Sequence, residues 1–231
     1  MARLAILGLF LGLALPANGS DIPWITLAYS PTFDEACAAR LGQPLEPEAV
    51  EELNQLMPAF ESAWLQDGPE WLAATRVTVG HPFSFREVTA RLVTCGIASR
   101  SRPVVINVRP HLQATAGRPA DLRQFASTVF HELLHQYVID SLDGQAGDTP
   151  LLRKYAGEPA VVRDHLHLFA VEEAVYQRRG QSAELRAVEA FQARLIGGKL
   201  FGRAREIVEA EGIDAFLAEL RADQAAANRR F

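Results

Sequence analysis

The hydrophobic pattern changes period several times along the chain. An apolar run covers residues 4–15, and a short strand is expected at 24–29. From Pro47 to about Gln66 the apolar positions Val50, Leu53, Leu56, Met57, Phe60 and Trp64 recur at helical spacing. Glu48, Glu51 and Glu52 suit the positive N-terminus of that helix. Gly68-Pro69 predicts its end, and Trp71 and Leu72 a second short helix. The stretches 76–79, 83–94 and 103–108 are then rich in β-branched and aromatic residues, partly at period two. Turns at 80–82 and 96–102 separate them, which predicts a small, largely antiparallel sheet.

Helical spacing returns where Leu122, Phe125, Ala126, Val129, Leu133 and Tyr137 draw one apolar stripe. Pro119 and Asp121 supply a start signal, and residues 140–144 a stop. Pro150, Gly157 and Pro159 predict an irregular stretch to about residue 162. Helices follow at 165–178, with Asp164 as N-cap, then at 182–196 and 203–222, with Gly197-Gly198 between the last two and a frayed tail after Asp223. The fold class is therefore α+β: one domain over 20–231, with a sheet-containing part at about 20–118 and a helical part at about 119–222.

The striped helix carries His131-Glu132-Leu133-Leu134-His135. Its two histidines are one turn apart and lie off the apolar stripe, so both imidazoles can reach one metal ion, and Glu132 can reach a water beside it. A catalytic zinc takes three protein ligands and keeps one position open. The expected source of the third is the segment 164–173. His165 and Glu172 share a face there with Leu168, Phe169, Val175 and Tyr176, about 10 Å apart along the axis, too far for both to bind one ion. His165 is the expected ligand, oriented by Asp164, and Glu172 is the alternative. A tetrahedral oxyanion needs a further donor, for which Tyr155 and His167 are candidates. Tyr137 falls on the apolar stripe and is expected in the core, and His111 is expected as a plain loop histidine.

Composition narrows the setting. Met1-Ala2-Arg3, the apolar run and small residues before Ser20 read as an export signal over 1–19. The formal net charge of −5, without clustered Lys or Arg, argues against nucleic acid as a partner. No later stretch approaches membrane-spanning length. Cys37 and Cys95 are the only cysteines, and in an oxidising compartment they are expected to form one disulfide. The protein is therefore expected in the periplasm or outside the cell.

The segment His131-Glu132-Leu133-Leu134-His135, with a sheet ahead of it, resembles the zincin superfamily of metallopeptidases. The resemblance implies a zincin-like fold, one Zn2+ per chain, His131 and His135 as ligands, and Glu132 as general base. In the thermolysin-like members a downstream helical Glu completes the site, which implies Glu172, although Tyr176 stands where thermolysin has an acidic residue. The metzincin pattern is not kept: Val138 replaces its Gly and Ser141 its His. The expected function is an exported zinc-dependent hydrolase acting on a peptide or protein. The alternatives are a zinc amidase acting on a non-protein amide such as peptidoglycan, and a non-catalytic exported binding protein that keeps a structural metal helix. Intact Glu132 favours catalysis over the last.

Overall fold

The computed structural model describes residues 22–142 and 148–227, with side chains to residue 222. The expected export signal and the end of the stop segment, at 143–144, lie outside the described residues. The architecture is α+β, with a four-stranded mixed sheet in the order β1-β2-β4-β3 and a larger helical layer.

Strand β1 (Trp24–Tyr29) leads through helices α1 (Pro31–Leu41) and α2 (Pro47–Val79) to β2 (Glu87–Val93). Two short strands follow, β3 (Arg100–Ser101) and β4 (Val104–Asn107). The sheet is not largely antiparallel as expected. β1 pairs parallel with β2, and β2 parallel with β4; only β3–β4 is antiparallel. The reason is the long α1–α2 connection, which carries the chain back to the end where β1 began. Val104 and Ile106 join the main core on one face, while Val105 packs with Ala38, Val93 and Cys95 on the other. β4 is thus covered on both sides and reads as a continuous apolar run.

The expected break at Gly68-Pro69 and the expected strand at 76–79 are both replaced by α2, which continues to Val79. Gly68 lies against the Trp64 ring, where a Cβ would come within 2.6 Å of the ring carbons. Trp71, Leu72, Ala74, Thr75, Thr78 and Val79 bury one helical face while Val77 stays exposed. That tertiary burial outweighs both the proline and the β propensity of the stretch.

A turn at Arg109–His111 and the short α3 (Gln113–Ala116) lead to α4 (Leu122–Ser141). Asp121 caps α4 as expected, its side chain accepting from Gln124 N. The stripe from Phe125 to Tyr137 is buried, and Phe60 of α2 stacks on Phe125 with ring centroids 3.9 Å apart. Tyr137 is a core residue, donating to the His81 carbonyl. Within the stretch expected to be irregular, α5 (Pro150–Lys154) forms.

Helix α6 (Ala160–Arg178) begins one turn before the expected start, directly after Pro159. Asp164 is therefore not an N-cap but an exposed residue within the helix. Helices α7 (Ser182–Gln192), α8 (Gly198–Glu211) and α9 (Ile213–Ala227) complete the layer. The single helix expected at 203–222 is divided at Gly212, which has a φ of 82°. The last helix runs through Asp223 to Ala227 rather than ending there. Among the described residues no helix is long and apolar enough to cross a membrane. The expected disulfide Cys37–Cys95 is present and ties α1 to the segment after β2, an arrangement compatible with an extracellular location.

Candidate metal centre

Helices α4 and α6 pack against each other, and their facing histidines meet. His131 and His135 are one turn apart on α4, and His165 comes from the second turn of α6. Ring centroids lie 4.9 Å apart for His131–His135, 5.3 Å for His131–His165 and 4.6 Å for His135–His165. One ligand atom from each lies within 4.8 Å of the others. Tetrahedral zinc with nitrogen ligands needs separations of about 3.4 Å. Small side-chain rotations would close that difference, so the donor set fits a zinc-like ion.

The state of the imidazoles also fits. Burial drives the His165 pKa down to about 3, helped by the neighbouring His131. Burial, then His131 and His165, holds His135 well below its ordinary value. Both are therefore neutral at physiological pH, the form that ligates a metal. His165 Nδ1 lies 2.6 Å from the Val161 carbonyl oxygen. A carbonyl can only accept, so Nδ1 carries the proton and Nε2 is left with the lone pair. Thus a backbone carbonyl, not Asp164, orients this histidine. Phe169 and Phe201 of α8 stand beside its ring, with centroids 5.1 and 4.7 Å away.

Glu132 is 7% exposed, and no hydrogen bond from a described residue reaches its carboxylate. Burial lifts its pKa to about 7, against the opposing pull of His131. An acid in that range can take up and release a proton near neutrality.

Glu172 does not join the three histidines. It is fully buried, with Oε1 3.4 Å from His131 Nδ1 and Oε2 accepting from Arg205 at 2.8 Å. Burial alone would raise its pKa, but the His131 contact and the Arg205 charge outweigh it and bring the value to about 2. The acid is thus held ionised behind the first histidine.

Neither candidate for the oxyanion is brought to the three histidines. His167 faces the other way, 2.8 Å from Glu219 and against the Phe216 ring of α9. The Tyr155 hydroxyl donates to Glu211. His111 is not a plain loop residue. It is buried against Phe125 and Phe191, within 3.1 Å of the Thr128 hydroxyl, and burial with Arg118 nearby lowers its pKa to about 3.

Sequence reasoning missed Gln192 and Arg205. Gln192 Nε2 stands 3.4 Å from His131 Nδ1, and its Oε1 accepts from Arg205 at 2.6 Å. The only local signal is a polar residue at the end of the buried stripe Leu185, Val188 and Phe191. No protein family, curated protein or solved structure matches this chain, so the centre stands on the geometry of its own residues.

Proposed function

We propose that the chain is an exported, zinc-dependent hydrolase that cleaves peptide bonds, with His131, His135 and His165 as ligands and Glu132 as general base. The observation that carries this is Glu132: a buried carboxylate beside three convergent histidines, to which no described residue donates a hydrogen bond. A structural site has no use for such a group, whereas a general base must keep its carboxylate open to a water.

Bound zinc would supply Lewis acidity, polarising a substrate carbonyl and lowering the pKa of a water. The chain's own residues do the rest. Neutral His135 and His165 present lone pairs without first having to lose a proton. Val161 fixes the His165 tautomer, and Phe169 and Phe201 exclude water from one side of it. Glu132 accepts the proton of the attacking water and returns it to the leaving amine. The zincin-like fold, the export signal and the peptide substrate belong to this proposal. The supporting features are the motif, the disulfide and the sheet that precedes the motif helix.

The test is metal content and peptide cleavage in purified mature protein. Wild type is expected to hold about one zinc per chain. His131→Ala, His135→Ala and His165→Ala should each lose it, while Glu172→Gln should still take it up. Glu132→Gln should keep the metal and lose cleavage by roughly 10²–10⁴-fold. A wild type that takes up no zinc on reconstitution overturns the proposal. A Glu132→Gln variant that keeps both its zinc and full activity removes the proposed base.

A further inference from the structure

We propose that Glu172 and Arg205 are positioning residues of this centre: together they set the tautomer and orientation of His131, which makes helix α8 a working part of the metal site. The inference rests on the zinc reading above for its purpose, but the arrangement it concerns is independent of an ion.

His131 has one ring nitrogen, Nδ1, turned toward Glu172 and away from solvent. A carboxylate can only accept when ionised, so it selects the tautomer with hydrogen on Nδ1 and leaves Nε2 bare. His165 reaches the same state through the Val161 carbonyl. Both would then offer Nε2, one held by a backbone oxygen and the other by a side chain from α6. Histidines that ligate metals commonly donate their second N–H to such a partner, which also raises their basicity as ligands. At 3.4 Å the contact is long, and Gln192 Nε2 lies at the same distance from Nδ1. The amide is neutral and the carboxylate charged, so the carboxylate decides the proton's place. The amide cannot turn its oxygen to the histidine, because that oxygen accepts from Arg205.

Arg205 pairs with Glu172 from the side away from His131 and holds it in place. Its guanidinium lies 3.9 Å from the Phe169 ring centroid and bonds Glu172, Gln192 and Glu189 at 2.8, 2.6 and 3.2 Å. Phe169 in turn lies against His131 and His165, with ring centroids 5.9 and 5.1 Å away. One side chain from α8 therefore braces both the acid behind one histidine and the ring beside two. A buried ion pair of this kind adds little to stability, since apolar residues of similar volume do as well or better. The fold alone does not call for it, and its placement against a ligand histidine is the function it serves.

The test uses the double variant Glu172→Leu with Arg205→Met, which removes both charges and keeps the volume. Zinc affinity by chelator competition is read beside the long-range ¹H–¹⁵N spectrum of the metal-free histidines. Wild-type His131 is expected to carry its proton on Nδ1. The folded double variant should lose that preference and bind zinc 10–100-fold more weakly, the usual effect of removing such a partner. Wild-type His131 protonated on Nε2 overturns the proposal, whether or not the double variant folds. So does a folded double variant whose zinc affinity stays within about threefold of wild type. If wild type shows the Nδ1 proton but takes up no zinc, the hydrolase reading fails and the control of His131 by Glu172 stands.

Discussion

Asp34 and Glu132 are both buried acids, and the two corners of the molecule treat them in opposite ways. Asp34, fully buried on α1, accepts from Thr94 N at 3.0 and 2.9 Å, Thr94 Oγ1 at 2.7 Å and Cys95 N at 2.6 Å. It pins α1 to the end of β2 beside the Cys37–Cys95 bridge. Glu132 is nearly as buried, but no described residue donates to it. A buried acid surrounded by donors strengthens the fold, whereas one that burial hinders from ionising weakens it above its pKa and remains available for chemistry. Glu172 lies between these cases, because its bonds hold a histidine rather than a backbone.

Removing Asp34 gives the largest expected effect. Asp34→Ala leaves the Thr94 and Cys95 amides without their acceptor and should destabilise the fold by roughly 3–5 kcal/mol, read from urea unfolding. A loss below about 1 kcal/mol would mean that water replaces the carboxylate and that the corner is less sealed than its geometry implies.

Glu132→Gln should act in the opposite direction in metal-free protein. The folded pKa of Glu132 is raised to about 7. Its stability contribution is therefore greatest below the unfolded value and is lost as pH rises through 7. Gln escapes that loss, so the variant should gain on the order of 3 kcal/mol at pH 8 and nothing at pH 4. Equal melting temperatures at pH 8 would remove the contrast with Asp34.

The smallest effect concerns acid. The folded pKa of His165 is depressed to about 3, so its contribution is present above the unfolded value and lost as pH falls toward 3. Between pH 7.5 and 5.5 that amounts to about 1.4 kcal/mol in metal-free protein. His165→Asn should lack this component, whereas saturating zinc should leave it in place in wild type, because a bound ion also keeps the folded imidazole unprotonated. The same slope in the variant would assign the acid sensitivity elsewhere.

The site was more legible in sequence than the sheet was. The stripe from Leu122 to Tyr137, the cap at Asp121 and the facing of His131 and His135 all follow from helix pitch, and they appear as expected. Parallel pairing of β1 with β2 had no local signature, because strand direction depends on the α1–α2 connection rather than on residues within the strands. In α2 the signal existed: Trp71, Leu72, Thr75 and Val79 have helical spacing, but the Thr and Val content of 76–79 favours a strand. The early start of α6 moved His165 into the second turn, where Val161 replaces Asp164 as its partner.

The sequence by itself determined what repeats over short distances: the amphipathic motif helix, the i, i+4 histidine pair and the presence of two cysteines. These depend on a rise of about 1.5 Å per residue, and distant segments do not change it. Only the tertiary structure decided that His165 joins the pair, that Glu172 turns to His131 and Arg205, and that no described residue donates to Glu132. Those outcomes depend on burial and on charges brought from α6 and α8. Desolvation and pairing arise when remote surfaces meet, and no local pattern records which surfaces will do so.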